Sequence, residues 1–338
     1  MNRRGSKLHQ RKSDMTKAIL AALALAVGTV ATAQSQTFPS RPVTIVVPYP
    51  AGGPADAVGR IIADGMRVSL GQPVIIENVG GASGGVGVGR VARAAADGYT
   101  LIQGNWASNV LNAAIFSLNY DLLNDFAPVV MLGTEPLLVV AKKAFPPNDL
   151  KELIAWLKAN PDKATQGTAG AGSVSHVVGV FFQKETGTQF QFAAYRGLGP
   201  AMQDLVAGQI DMVMPTAAIA VPQTRAGTVK AYAVTDKRRV AALPDVPTAA
   251  EAGLPGLEAT NWQALWAPKG TPKEAIAALN AGVVTALADP AVRSRLRNLG
   301  FEATASGADQ TPEALGAYQK AEADKWWPIL KAAGIKAE

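Results

Sequence analysis

Apolar positions along the chain come in short runs separated by helical patterns. Val43–Val47 (VTIVV) is a continuous apolar run that enters the turn Pro48-Tyr49-Pro50-Ala51-Gly52-Gly53-Pro54, and it predicts a buried strand. After the turn, Val58, Ile61, Ile62, Met66 and Leu70 share one helical face, and Gly71 offers a left-handed cap. Val74–Ile76 predicts the next strand. A glycine loop (residues 80–85) and a short helix through Val91 follow, and Asp97-Gly98 turns into a strand over Tyr99–Gln103. This β-α-β-α-β alternation predicts a mainly parallel sheet flanked by helices.

The middle third repeats the rhythm. Asp149 and Glu152 form a capping-box pattern ahead of Leu150, Leu153, Ile154 and Leu157. Strand-like Thr165–Thr168, a glycine-rich loop, a helix through Phe181-Phe182 and the strand Gln191–Tyr195 come next. A helix with Met202, Leu205 and Val206 leads to two more strands, Ile210–Met214 and Val229–Thr235. The last third is mostly helical: Thr271-Pro272-Lys273-Glu274 reads as a capping box, Asp289-Pro290 starts a helix closed by Gly300, and a final helix runs from Pro312 towards Trp326-Trp327. No repeat or flexible linker separates the α/β units. The chain is therefore expected to cross between two lobes through structured strands, with Val129–Val140 and Asn261–Ala267 as the candidate crossings.

Composition narrows the chemistry. Of 338 residues none is Cys and two are His, which excludes disulfides, thiol nucleophiles and a multi-histidine metal site. With 48% hydrophobic and 17% charged residues the chain has a globular make-up. The net charge of +6 sits mostly at the start, where Arg3, Arg4, Lys7, Arg11, Lys12 and Lys17 face only Asp14. A basic stretch, the apolar Ala18–Val30 and then Ala31-Thr32-Ala33 match a secretory leader over residues 1–33, with Met15 as a second candidate start. The apolar stretch falls short of the roughly 20 residues a membrane span needs. Without the leader the remainder is close to neutral, which leaves no electrostatic case for nucleic acid. A soluble periplasmic protein is expected.

Two motifs carry possible chemistry. Gly81-Ala82-Ser83-Gly84-Gly85 matches the G-x-S-x-G elbow of serine hydrolases, and His176 could supply a base. Against that, the loop is long and glycine-rich, few strands precede it, and no oxyanion segment is visible; a glycine loop allowing close backbone approach is the alternative. The glycine runs fail the phosphate-binding patterns. The segment Tyr49 to Asp56 joins a buried strand to a helix, where α/β sheets commonly hold ligands. The amides of Ala51, Gly52 and Gly53, with the helix dipole, make an anion site there, unless the glycines serve the turn alone. Gly170-Ala171-Gly172-Ser173, just ahead of His176, offers a second such nest.

The segments FPSRPVTIVVPYPAGGPAD, GQPVIIENVGGASGG, ADGYTL, GTAGAGSVSHVVG, YRGLGPAMQDLVAGQIDM, AVTDKRR, LPDVPTAAEAGLPG and APKGTP, in this order from about Phe38 to Ile335, resemble the substrate-binding proteins of tripartite tricarboxylate transporters (Bug or TctC type). The resemblance implies a two-lobe periplasmic-binding fold of type II character, with lobes at residues 38–138 plus 259–338 and at 139–258. It implies no catalysis and no cofactor. The expected ligand is a small carboxylate, di- or tricarboxylic or aromatic, held by loop amides and ordered waters. The expected partners are transporter membrane components or a sensor protein, and the chain is expected to be a monomer. Carried onto this sequence, the ligand-binding set is Tyr49, Ala51, Gly52, Gly53, Asp56, Ser83, Asn105 and Trp106 from the first lobe. The second lobe adds Gly170, Gly172, Ser173, His176, Tyr195, Gly197, Pro200 and Thr216. Trp106 is bulkier than the family's small residues at that place, and Arg196 stands where members often carry lysine. Trp106 has two readings, an aromatic wall for the ligand or packing within its own lobe.

Overall fold

In the computed structural model residues 38–305, 307–332 and 334 are described, and the expected leader lies outside them. Strand β1 (Val43–Val47) leaves Val43, Ile45, Val46 and Val47 fully buried, each stabilising by roughly 1.5–3 kcal/mol relative to exposure. Helix α1 (Pro54–Leu70) follows, capped by Gly71 in the left-handed conformation at φ 65°. Then come β2 (Val74–Asn78), a single 3-10 turn at Ala82–Gly84, α2 (Gly85–Ala92) and β3 (Thr100–Asn105). A π-helical turn, Ala107–Leu111, runs into α3 (Asn112–Ile115), and the long β4 (Phe126–Pro136) ends this part of the sheet.

Leu137 alone separates β4 from β5 (Leu138–Lys142), the first strand of a second sheet. That sheet is built with α4 (Leu150–Ala159), β6 (Thr165–Thr168), α5 (Val174–Thr186), β7 (Gln191–Ala194), α6 (Leu198–Val206), β8 (Met212–Val213), α7 (Ala217–Arg225) and β9 (Val229–Val234). The chain then returns to the first sheet as β10 (Thr260–Pro268), and α8 (Lys273–Ala288), α9 (Pro290–Asn298), β11 (Glu302–Ala303) and α10 (Pro312–Ala332) complete it. The sheet orders are β11-β4-β10-β3-β1-β2 and β7-β6-β8-β5-β9.

Both sheets are mixed where the strand–helix alternation suggests mainly parallel ones. β2, β1 and β3 are parallel, but β10 runs antiparallel to β3 and β4. In the second sheet β7, β6 and β8 are parallel, and β5 is antiparallel to both its neighbours. The reversals follow from the two crossings, since a strand that changes sheet without a helical crossover is free to enter it antiparallel. The return crossing precedes Asn261–Ala267, which lies wholly within β10.

Thr235, fully buried, ties the two crossings together. Its hydroxyl donates to the Ala259 carbonyl at 2.6 Å and accepts from the Leu137 amide at 3.3 Å. The apolar core is also continuous across the junction: Trp326 on α10 meets Trp106 and Phe181 edge-on, with ring centroids 4.8 and 5.3 Å away.

Two caps differ in an instructive way. Asp149 caps α4 by accepting from the Glu152 amide, and Glu152 returns to the Asn148 amide, one residue outside the usual capping box. Thr271 caps nothing; its hydroxyl turns back to the Pro268 carbonyl at 2.8 Å and Pro272 takes the cap position of α8. Among the described residues no single helix is long and apolar enough to cross a membrane.

Candidate functional site

Helix α1 begins where β1 ends. Gly53 is its extended N-cap, Pro54 occupies the first turn, and Asp56 falls three residues in. Asp56 is 3% exposed, and its Oδ2 accepts from the Gly52 amide and from Arg60 Nε, both at 2.9 Å. Burial alone would raise this carboxyl, but Arg60, the Gly52 N–H and Asn78 outweigh it and hold it below the ordinary carboxylate range. The Gly53 amide meanwhile donates to the Pro50 carbonyl at 3.4 Å. Two of the three amides expected to form the anion nest, those of Gly52 and Gly53, are therefore engaged within the loop itself. The Gly52 N–H, expected to serve a ligand, is committed to Asp56. Ala51 and Gly52 stay exposed at the rim, with Gly52 at φ 81°, a conformation open to glycine but strained for others.

Beside this loop lies a buried polar group. Tyr49 donates its hydroxyl to Asn105 Oδ1 at 2.9 Å, and the same oxygen accepts from the Ser108 amide at 2.9 Å. Ser108 Oγ in turn accepts from the Asn105 amide and donates to Asn109 Oδ1 at 2.8 Å. Burial pushes the Tyr49 hydroxyl up to about 12, against the hydrogen bonds of Ser108 and Asn105. Trp106, by contrast, is 1% exposed and packs on Trp326 within the core. The position between a strand end and a π-turn directs its ring inward, away from the loops.

The second sheet supplies the opposing loop. Ser173 caps α5 by accepting from the His176 amide at 3.4 Å, and His176 Nδ1 accepts from the Gly172 amide at 3.1 Å. Burial lowers the imidazole pKa, so the ring is neutral with its proton on Nε2. Its face also meets Phe192 edge-on at 4.8 Å. The Gly170 amide donates to Thr168 Oγ1 at 3.3 Å, so this nest too is internally satisfied.

The two sets of loops touch. Ser83 Oγ donates to the Ala171 carbonyl at 2.6 Å, Asn112 Nδ2 donates to the Ser83 carbonyl at 3.1 Å, and Gly172 lies so close to Ile115 and Phe116 that a Cβ there would come within 2.9 Å of the Phe116 ring. Ser83 is thus brought against the Gly170–Ser173 loop, and its neighbour Gly84 lies beside the Tyr49 hydroxyl and Ser108. Tyr195 stands beside the Gly170–Ser173 loop too: its amide donates to the Thr168 carbonyl at 2.9 Å and its carbonyl faces Gly170, while its hydroxyl donates to Asp204 at 2.7 Å; Gly197 and Pro200 follow at the start of α6. Thr216 is the buried N-cap position of α7, bridged to Leu137 at the crossing.

The hydrolase reading fails on this geometry. Ser83 is in the left-handed region (φ 49°, ψ 35°) inside a 3-10 turn, and its hydroxyl is spent on Ala171. His176 Nδ1 already holds the Gly172 N–H. Among the described residues no cluster of His, Asp or Glu could hold a metal ion.

One residue went unpredicted. Glu135, 1% exposed at the end of β4, accepts from the Ala218 amide of α7 at 3.3 Å. Its only trace in the sequence is a lone acid inside the apolar run Val129–Val140.

Two α/β sheets joined by paired crossings, with loops from each meeting over neutral polar groups, define a two-lobe solute-binding fold. The match to the tripartite tricarboxylate transporter family receptor model spans residues 58–335. A UPF0065 protein from the ttuE–ttuC′ intergenic region of Agrobacterium vitis is 40% identical over 98% of this chain and 95% of its own. Among solved structures, the periplasmic binding protein BugD is 38% identical with a TM-score of 0.82, covering 89% of this chain and 100% of that one. MatC from Rhodopseudomonas palustris with bound malate is 40% identical, with a TM-score of 0.81 over 87% of this chain and 100% of that one. Rpa4515 from the same organism, with adipate, is 32% identical, with a TM-score of 0.83 over 89% and 100%. The chain belongs to the tripartite tricarboxylate transporter receptor family, whose members are binding proteins rather than enzymes, and it is a solute-binding protein.

Proposed function

We propose that the chain captures a small organic acid, di- or tricarboxylic or aromatic, between two lobes (residues 38–138 with 259–338, and 139–258) and releases it unchanged. The observation that carries this is the meeting of loops from the two sheets at Ser83–Ala171 and Gly172–Phe116, above the buried Tyr49–Asn105–Ser108 group. Loops on separate sheets can both touch a solute only when the cleft is closed, so binding selects the closed state. Malate and adipate, bound by relatives of the same fold, are acyclic dicarboxylates and support that substrate class. The protein acts in the periplasm as a monomer after loss of residues 1–33, without catalysis or cofactor. It hands its acid to the membrane components of a tripartite tricarboxylate transporter or to a sensor.

Mass spectrometry of the small molecule retained by protein exported natively, followed by calorimetric titration with malate, adipate, citrate and benzoate, tests the reading. At least one acid should bind and be recovered intact. Binding of none, or recovery of a converted product, overturns it.

A further inference from the structure

Glu135 stands where the two sheets join. It lies one residue before the end of β4, its cross-strand partner on β10 is Asn261, and its Oε1 accepts from the Ala218 amide at the start of α7. Helix α7 belongs to the second sheet, packing on β5 and β9, yet its first turn also rests on β4 and against Gly300. The carboxyl therefore bridges the two halves beside the Leu137 crossing.

The corner around it is short of protons. Glu135 Oε2, Thr216 Oγ1 and Asn261 Oδ1 are all buried with no partner at hydrogen-bond distance, although Thr216 and Asn261 stand beside the carboxyl, and of these three oxygens only the Thr216 hydroxyl brings a proton of its own. Buried oxygens without partners destabilise the fold. The Thr216 hydroxyl can donate to only one of the other two oxygens, and a proton on Oε2 makes the carboxyl a second donor. Among the described residues no charged side chain acts on the carboxyl to stabilise the ionised form instead. The ionisable groups on neighbouring elements are engaged elsewhere: Glu322 of α10 accepts from Trp262 Nε1, Asp236 accepts from Thr260 Oγ1, and Arg225 at the far end of α7 donates to the Ala242 carbonyl. Glu302 on β11 is exposed.

We propose that Glu135 is a positioning residue that holds the junction of β4 and α7 as a neutral acid, so that closing of the two sheets takes up a proton. The proposal rests on the reading that the sheets close on an organic acid. Opening draws the first turn of α7 off β4 and admits water, and the carboxyl ionises. In the closed molecule burial pushes this carboxyl up from 4.5 to about 7, with the Ala218 hydrogen bond and the neighbouring polar groups of Thr216 and Asn261 pulling the other way. A group raised in the closed state favours closure fully below its ordinary value and loses that effect as pH rises through the closed-state value. Closure is thus strongest below about 4.5, weakens by up to tenfold per pH unit, and levels off above about 7.

The test compares the wild type with Glu135→Gln, a neutral isostere. Melting temperatures between pH 4 and 8 should fall for the wild type relative to Glu135→Gln across that window, and parallel curves overturn the neutral acid. Small-angle scattering without added acid should show the wild type more compact at pH 5 than at pH 8, with the variant unchanged; equal pH responses in both overturn the link to closure. If the variant fails to fold, the infrared carbonyl stretch of a protonated carboxyl in the wild type at pH 6 decides, and its absence overturns the proposal. Calorimetry with malate and adipate adds the coupling itself, since the ionisation of these acids cancels in the comparison. Affinity that changes identically with pH in both proteins refutes the proton uptake. Should neither dicarboxylate bind at any pH, the proposed substrate class fails, while the melting and scattering arms still judge Glu135.

Discussion

Replacing Asp56 with alanine separates a loop built for its own stability from one held open for a ligand. The substitution removes the acceptor of the Gly52 amide and the partner of Arg60, each 2.9 Å from the same oxygen. A hydrogen bond to a charged group is worth roughly 1.5–3 kcal/mol. The Arg60 side chain is 54% exposed, so water screens its pairing and it adds little. The expected loss is about 1.5–3 kcal/mol, which for a chain of this size lowers the melting temperature by roughly 2–5 °C. Asp56→Asn keeps an oxygen for Gly52 and should lose less than half as much. Because the carboxyl is held below its ordinary 3.8, the stabilisation is present above that value and fades as pH falls through the lowered one. Circular dichroism melts at pH 7 and pH 3 read the stability, and calorimetry with malate and adipate reads the loop's role in binding. If the Gly52 amide is structural, freeing it gains no affinity. A variant that melts like the wild type while binding either acid tenfold more tightly would refute the self-filled loop.

Other outcomes follow from the same geometry. Ser83→Ala removes the hydroxyl that joins the two loop sets and should weaken acid binding by about fivefold, near 1 kcal/mol, with no ester turnover before or after; an unchanged affinity would show that the Ala171 contact does not hold the closed state. Trp106→Ala should cost about 3–5 kcal/mol of stability while shifting the affinities for malate, adipate and benzoate by one common factor, because the ring packs on Trp326; a loss confined to benzoate in calorimetry would restore it to the ligand wall. His176 should titrate below 6.5 with its proton on Nε2, since burial and the Gly172 amide both favour the neutral ring, and nitrogen-detected NMR that finds a higher value would remove that hydrogen bond.

Local pattern made most of the elements legible. The run Val43–Val47, the glycine at position 71 and the Asp289-Pro290 start each encode a single local answer, and the structure takes it. Strand direction was not legible, because β4 and β10 read as apolar runs whatever their polarity, and the reversal depends on which sheet the chain enters next. Thr271 shows the limit at a cap: the sequence supplies the right residue types, but the Pro268 carbonyl is the nearer partner. The candidate site was legible as turns and not as atoms. Pro48 to Asp56 and Gly170 to His176 announce strand-to-helix turns, yet whether an amide there faces solvent or a neighbouring side chain turns on rotamers that no spacing records.

That distinction bears on how such a cleft can hold an acid at all. The donors at Gly52, Gly170 and Gly172 are each satisfied within their own loop, by Asp56, Thr168 and His176. Loops fixed in this way need little ordering when a solute arrives, and ordering is one of the larger costs of association. An acid entering between them meets preformed polar surfaces and reaches the chain most readily through water, which bridges polar groups nearly as well as a direct bond. Selectivity then comes from the shape and span of the cleft, set by how far the sheets close, more than from any one side chain. With Glu135 holding the junction of the sheets as proposed, a change there should alter affinity for every acid before it alters preference among them.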